Sequence, residues 1–225
     1  MLMRYFFQPL LLLLSMAGIS CSTSHAAPAD FPAPPAEQAE GVEQLDDDGD
    51  AVAVLAGGCF WCTEAVFERL DGVKTVVSGY AGGTEADANY QAVSNGLTKH
   101  AEAIEIVYDP SKIRYVDLLE VFFAVAHNPT HVNRQGNDRG PQYRSAVFYA
   151  NEGQKAAAEA YIARINESGV YPDPVATKME PLTAFYEAEA YHQDYSANNP
   201  NNPYVRGVGQ PKVDKLEKVY PEKLK

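Results

Sequence analysis

The chain has 225 residues, of which 46% are hydrophobic and 21% charged, and this is the length and composition of one sizeable globular domain. Its formal net charge is −12, and residues 1–50 hold −7 of that charge, because they contain eight acidic residues and one basic residue. The remaining −5 leaves the core mildly acidic, which argues against nucleic acid or an anionic membrane surface as the main partner.

The first 26 residues have the pattern of an export signal. Arg4 precedes an apolar run and then small residues, over a length too short for an ordinary membrane span. One interpretation is cleavage after Ala26, and the residues favour it. The other is a bacterial lipoprotein signal that ends before Cys21, although Gly18 stands where a branched apolar residue is usual. Both interpretations predict an exported protein, periplasmic or lipid-anchored at the cell envelope, with a membrane tether only if Cys21 is lipidated.

Residues 27–50 are predicted to form a disordered, acidic, proline-rich linker. They hold eight acidic residues and no basic one, and their prolines are Pro28, Pro32, Pro34 and Pro35. Such a segment buries too little apolar surface to order itself. The folded domain is therefore predicted over residues 51–225, and nothing in its sequence indicates an obligate assembly, so we expect a monomer.

From residue 51 onward, the hydrophobic period alternates between strand and helix. Strands are predicted at residues 51–56, 73–80, 101–108, 145–150 and, weakly, 175–179. Helices are predicted at residues 60–70, 115–126 and 152–167. Long polar loops are predicted at residues 82–99 and 127–142, and an irregular C-terminal extension from Ser196. This order of elements predicts an α+β domain with a ferredoxin-like split βαβ sandwich core.

The most informative segment is Cys59-Phe60-Trp61-Cys62, at the predicted start of a helix. Unpaired N–H groups and the positive end of the helix dipole favour an anion there, so a cysteine in this place tends to have a depressed pKa and to act as a nucleophile. The two aromatic rings indicate an apolar pocket beside a reactive sulfur. Because a disulfide closing so short a loop stabilises little, the cysteine pair favours a redox role over a structural one.

Four further residues are candidates for the chemistry. Glu102 shares a strand face with Ile104, so it is either an inward carboxyl group with a raised pKa that can act as an acid, or an exposed group at the strand end. Tyr90 and Tyr143 lie in the long loops and can donate hydrogen bonds to a substrate oxygen. Asp138 lies in the second loop, where turn chemistry explains it equally well.

A metal site is a weak alternative. His127 and His131 are four residues apart, but Asn128-Pro129 between them argues against a shared helical face. With Cys59 and Cys62 they give neither a second cysteine pair nor a metal-binding histidine spacing. We therefore predict no bound metal or cofactor.

Seven short motifs follow one another along the domain. They are Gly58-Cys59-Phe60-Trp61, Gly79-Tyr80-Ala81-Gly82-Gly83, His100-Ala101-Glu102, Tyr108-Asp109-Pro110, Arg134-Gln135-Gly136-Asn137-Asp138, Gln142-Tyr143-Arg144-Ser145 and Tyr191-His192-Gln193. In content and order they resemble the A-type peptide methionine sulfoxide reductases, over essentially residues 52–195. The resemblance implies reduction of the S epimer of methionine sulfoxide in proteins, and of the free amino acid, as a repair of oxidised proteins.

The resemblance also implies a role for each candidate residue. Cys59 corresponds to the nucleophile, and Glu102 to the acid that protonates the sulfoxide oxygen. Phe60 and Trp61 match the aromatic pocket for the sulfoxide methyl group. The phenols that assist at the oxygen correspond to Tyr90 and Tyr143, and a polar residue supporting the same site corresponds to Asp138.

Cys62 marks a departure from many family members, which have glycine at this position and recycle through cysteines near the C-terminus. The C-terminal stretch of this chain has no cysteine. The resemblance to the CxxC branch therefore implies that Cys62 resolves a Cys59 sulfenic acid as a disulfide. An external thioredoxin-like dithiol would then reduce that disulfide. Two alternatives stay open: a thiol–disulfide oxidoreductase acting on protein disulfides, and a binding module held by a local disulfide.

Overall fold

A computed structural model of the protein describes residues 31–36, 41–43 and 45–225. The signal predicted over residues 1–26, including Cys21, lies outside the described residues. Within the described part of the chain, no helix is both long and apolar enough to cross a bilayer.

The secondary structure alternates between strands and helices. In chain order the described strands are β1 Ala51–Gly57, β2 Val73–Ala81, β3 Ala101–Tyr108, β4 Arg134–Gln135, β5 Asp138–Arg139, β6 Ser145–Tyr149, β7 Lys178–Pro181 and β8 Phe185–Glu187. The described α-helices are α1 Phe60–Phe67, α2 Tyr90–Ser94, α3 Tyr115–Val121, α4 Glu152–Ser168, α5 Tyr195–Asn198 and α6 Gln210–Val219. Two π-helical segments, Phe122–Ala126 and Val205–Gly209, continue α3 and lead into α6.

Six strands form one sheet in the order β7-β6-β1-β3-β2-β8. β3 is antiparallel to both β1 and β2, and β6 is antiparallel to β1. β1 and β2 are therefore parallel with β3 inserted between them, which is the split βαβ arrangement. This confirms the predicted α+β class and ferredoxin-like core.

The core lies between this sheet and the helices that cover it. β1 and β3 are buried along almost their whole length, because strands flank both of them and α1 packs on both, with the π-helical segment Phe122–Ala126 also covering β1. Asn151 caps the N-terminus of α4, since its side chain accepts a hydrogen bond from the Gln154 N–H, and Gly169 in the left-handed conformation with φ 66° caps the C-terminus. Its buried stripe of Ala158, Tyr161 and Ile165 has the spacing of one helical face.

The loops and the C-terminal extension contain more regular structure than the sequence predicts. The first long loop contains α2, the second contains the β4–β5 hairpin, and the weak strand is found at residues 178–181 rather than 175–179. The prediction of an irregular chain from Ser196 is wrong for its second half, since α6 buries Val213 and Leu216. The Asn/Pro run before it conceals this helix, which is stabilised by packing on α1 and by proline in its first turn.

Part of the predicted linker also packs on the domain. Val42 is 1% exposed, and the Phe31 ring meets Tyr161 and Tyr171 edge-on, with centroids 6.5 and 6.2 Å away. The Tyr161 hydroxyl donates to the Pro32 carbonyl oxygen at 2.8 Å. These described residues differ from the prediction of a disordered linker, because a few apolar groups pack against Tyr161 of α4 and Tyr171, contacts that sequence composition does not reveal.

Candidate active site

The site is built around the junction of β1 and α1. Gly58 has φ 94°, and a Cβ there would lie 2.5 Å from Cγ of Gln135, so the turn requires glycine. The turn places Cys59 at the N-cap of α1 and Cys62 in its first turn. Both are free thiols, with Cys59 8% exposed and Cys62 1% exposed.

The two thiols titrate as a pair. Burial raises the pKa of Cys59, and the neighbouring Cys62 and Glu102 raise it further. The hydrogen bond from Cys59, together with the positive charge of Lys212, lowers the pKa of Cys62 to about 7. The pair therefore releases one proton near neutrality and holds the second. The prediction of a depressed pKa at the start of the helix is wrong for Cys59, because burial raises its pKa; the lowered pKa belongs to Cys62.

Glu102 is the buried acid of the site. It lies on β3 opposite Tyr80 of β2 and is 2% exposed, which is the inward of the two alternatives left open by the strand period. Burial raises its pKa to about 8, although the Phe60 N–H donates to its Oε2 at 3.2 Å. At neutral pH the carboxyl group is therefore protonated, and it can donate a hydrogen bond or a proton next to the thiol pair.

An aromatic wall flanks the sulfurs. Phe60 is 1% exposed, and its ring centroid lies 5.0 Å from that of His192. Trp61 donates its indole N–H to Nδ1 of His192 at 3.1 Å and stacks on Tyr195 with centroids 3.7 Å apart. His192 and Tyr195 were not assigned roles from the sequence. The Tyr191-His192-Gln193 motif is the signal that could have identified the first, whereas nothing marks the second.

Two phenols stand beside this wall. Tyr90 is the first residue of α2, where its N–H donates to Oε1 of Glu189 at 2.9 Å, and its ring lies 4.5 Å from that of His192. Tyr143 ends a short 3-10 helix. Burial raises the pKa of both phenols, and the charges of Glu102 and Cys59 raise it further. Both therefore remain protonated donors at neutral pH.

Asp138 reaches the thiol pair through a residue that the sequence analysis missed. The Tyr204 hydroxyl donates a short hydrogen bond to Oδ2 of Asp138, and the Cys62 thiol donates to the Tyr204 oxygen at 4.0 Å. Burial raises the pKa of Tyr204, with the two thiols as the next causes. Tyr204 follows the Asn/Pro run, which has no period that could predict an inward side chain.

The structure thus brings together all eight residues singled out from the sequence. They are Cys59, Phe60, Trp61, Cys62, Tyr90, Glu102, Asp138 and Tyr143.

The histidines of the alternative metal site are engaged elsewhere. His127 uses Nδ1 with the Phe122 carbonyl oxygen at 2.9 Å and Nε2 with Oγ of Ser145 at 2.6 Å. Burial lowers its pKa to about 3, so it is neutral. Across the described residues, no three His, Cys, Asp or Glu side chains are grouped so that they could hold a metal ion.

Comparison with known proteins identifies the family of the chain. A family model described as peptide methionine sulfoxide reductase matches residues 51–224. The peptide methionine sulfoxide reductase MsrA 2 of Synechocystis sp. is 53% identical over 177 residues, which are 79% of this chain and 83% of that protein. The MsrA protein of Thermus thermophilus is 50% identical over 176 residues, which are 78% of this chain and 98% of that protein.

Two solved structures are similar in fold. Reduced Mxr1 of Saccharomyces cerevisiae has a TM-score of 0.60 and 34% identity, covering 71% of this chain and 91% of that one. Methionine sulfoxide reductase A of Corynebacterium diphtheriae has a TM-score of 0.59 and 32% identity, covering 74% and 84%. With a family model matched across the whole core and relatives about half identical to it, the chain belongs to the peptide methionine sulfoxide reductase family and is an oxidoreductase.

Proposed function

We propose that the chain reduces the S epimer of methionine sulfoxide, in proteins and as the free amino acid, to methionine. The observation that carries this proposal is the protonated Glu102 carboxyl group beside a thiol pair that releases one proton near neutrality. A thiolate displaces oxygen from sulfur only if that oxygen is protonated or hydrogen-bonded as it leaves. Phe60 and Trp61 supply an apolar wall for the methyl group on the same sulfur.

In the first step Cys59 attacks the sulfoxide sulfur as a thiolate, after passing its proton to the Cys62 thiolate with which it shares a hydrogen bond. Glu102 transfers its proton to the oxygen, and the phenols of Tyr90 and Tyr143 donate hydrogen bonds to the same atom. The sulfur–oxygen bond breaks with oxygen passing to Cys59. The products are methionine and a Cys59 sulfenic acid, so that the substrate has gained two electrons from the thiolate.

In the second step the Cys62 thiol condenses with the sulfenic acid. A Cys59–Cys62 disulfide forms and water leaves. An external dithiol of the thioredoxin class then attacks the disulfide and returns both cysteines to thiols. Asp138 supports this part of the site through Tyr204, which contacts Cys62. Because the electrons pass only between thiols and the sulfoxide, the proposed cycle needs no bound cofactor.

The test uses the full chain, dithiothreitol, and stereopure S- and R-sulfoxides of a blocked methionine. We expect turnover of the S form alone, and its loss in Cys59→Ser. Reduction of insulin disulfides in place of either sulfoxide would move the assignment to a thiol–disulfide oxidoreductase. Full activity of Cys59→Ser would instead favour a binding module whose cysteines have no catalytic role.

The proposal includes export to the cell envelope, where the enzyme would act as a monomer on oxidised envelope proteins. Its support is the export pattern of residues 1–26. The N-terminal residue and mass of the protein recovered from the producing cell distinguish the two kinds of processing. A start at Ala27 indicates simple cleavage, and a lipid-modified Cys21 that Cys21→Ser abolishes indicates an anchor. An intact Met1 in the cytoplasmic fraction would contradict export.

A further inference from the structure

We propose that the reducing thiolate attacks Cys59 and not Cys62, and that it reaches the disulfide through the same pocket as methionine sulfoxide. This inference rests on the proposed function, because it concerns the disulfide between these two residues. It determines which sulfur is attacked, which sulfur leaves with the electron pair as a thiolate, and which surface the reductant must dock on.

The Cys62 sulfur is covered by the C-terminal segment of the chain. Cys62 is 1% exposed and lies in the first turn of α1, which packs against the π-helical segment before α6 and against α6 itself. The Tyr204 hydroxyl oxygen is 4.0 Å from its Sγ. A Cβ on Gly209 would be only 3.7 Å from the same sulfur. An incoming thiolate has no space on this side unless the segment from Tyr204 to Gly209 moves away.

Cys59 is the more exposed residue of the pair. Cys59 is the N-cap of α1 and retains 8% exposure. Cys59 interacts electrostatically with Glu102, Tyr90 and Tyr143. These are the groups that are proposed to contact the sulfoxide oxygen. The route that admits a methionine sulfoxide side chain is therefore the route that leads an external thiolate to Cys59.

The chemistry of the leaving group favours the same direction. The reductant sulfur forms a bond to Cys59, the Cys59–Cys62 bond breaks, and Cys62 leaves as a thiolate. Disulfide exchange is faster when the leaving thiol is the more acidic one. The hydrogen bond from Cys59 lowers the pKa of Cys62 most in the dithiol, and the positive charge of Lys212 lowers it as well. The second thiol of the reductant then attacks its own disulfide-bonded sulfur, releases Cys59 as a thiolate, and completes the two-electron reduction.

The decisive experiment maps a trapped mixed disulfide. The full chain is oxidised with one equivalent of S-sulfoxide, and loss of two free thiols confirms the disulfide. It is then mixed with a thioredoxin whose second cysteine is serine, so that the first exchange product accumulates. After the free thiols are alkylated, fragmentation of the peptide around residues 59–62 locates thioredoxin on one sulfur and the alkyl group on the other.

We expect thioredoxin on Cys59 and the alkyl group on Cys62. Thioredoxin on Cys62 would overturn the inference while leaving the proposed function intact. Retention of free thiols after sulfoxide turnover would instead overturn the Cys59–Cys62 disulfide itself, so the two failures are distinguishable.

A kinetic measurement tests the shared route without any variant. The pre-oxidised enzyme is re-reduced by intact thioredoxin in a stopped-flow instrument, in the presence of increasing S-sulfoxide. If both ligands use one pocket, the re-reduction rate should fall several-fold as sulfoxide saturates it. A rate that does not depend on sulfoxide concentration would contradict the shared route.

Discussion

The two walls of the active site are held in place in different ways. Glu102 and Phe60 stand on β3 and α1, and the register of the sheet and the N–H of Phe60 fix them. These two residues form what we call the sheet wall. The second group, the C-terminal wall, consists of His192, Tyr195 and Tyr204, from the last quarter of the chain, and its His192 ring packs against Phe60. Side-chain contacts hold this wall, such as the hydrogen bond between Trp61 and His192, which are 131 residues apart.

Because of this difference, one wall carries out the reaction and the other positions the reacting groups. The sheet wall carries the proton and the attacking sulfur in a setting that the core makes rigid. The C-terminal wall orients the indole and covers the second sulfur through contacts that single substitutions can remove. Changes on the sheet wall should therefore affect the chemical step, and changes on the C-terminal wall should affect substrate binding or recycling.

The largest effect is expected at Cys62, which contacts Cys59 and Tyr204. Cys62→Ser should keep one turnover with S-sulfoxide and lose thioredoxin-supported multiple turnover to background, because no second thiol remains to form the disulfide. A burst of about one methionine per enzyme, followed by no steady state with thioredoxin, is the expected time course. Normal multiple turnover of this variant with thioredoxin would refute the resolving role.

Glu102→Gln tests the sheet wall. The amide keeps an oxygen for the Phe60 N–H but has no proton to give, and general acid catalysis contributes about 10²- to 10⁴-fold. We expect kcat/KM to fall by about that factor. In the parent enzyme kcat/KM should rise as the thiol pair loses a proton near pH 7 and fall as Glu102 loses its own near pH 8. The variant should lack the alkaline fall, and a fall retained there would assign it to another group.

Glu102→Gln should lower kcat/KM but raise the stability of the folded protein. The folded state holds the Glu102 proton up to a pKa of about 8, whereas a glutamate in the unfolded chain loses it near pH 4. The folded state binds more protons between these values, so the parent loses stability from this group as pH rises through that window. Glu102→Gln should therefore gain stability relative to the parent between about pH 4 and 8. Denaturant unfolding at pH 4 and pH 8.5 measures this, and an unchanged difference between the two would contradict the buried acid.

His192→Phe tests the C-terminal wall with a smaller effect. Phenylalanine keeps the ring contact with Phe60 but removes the acceptor for the Trp61 N–H. Loss of such a hydrogen bond costs about 1 kcal/mol, which corresponds to roughly a five-fold rise in KM with little change in kcat. Trp61 is the one tryptophan in the chain, so its fluorescence reports the change directly. The control is Tyr191→Phe, at an adjacent ring that is 62% exposed. Equal effects of the two substitutions would contradict the proposed orientation of Trp61.

The sheet wall could be predicted from the sequence, whereas in the C-terminal wall only His192 lies in a recognisable motif and nothing marks Tyr195 or Tyr204. Period-two alternation along β3 is a local property, and it offered an inward Glu102 as one of two alternatives. The hydrogen bonds from Trp61 and Cys62 cross more than 130 residues, and no local pattern encodes them. The sequence also could not predict which of the two cysteines has the lower pKa, because that depends on burial and on a hydrogen bond between the two thiols.

The smallest effect on activity is expected from Val42, which belongs to neither wall. Val42→Ala should lower the free energy of unfolding by about 2 kcal/mol, because two buried methyl groups are lost, and should leave kcat/KM unchanged. Leu45→Ala is the matched control, since Leu45 belongs to the same segment and is 55% exposed. Denaturant unfolding of both variants compares a docked side chain with a solvated one. Equal stability would show that this segment is the tether that its composition predicts, and a loss confined to Val42 would show that it is part of the folded domain.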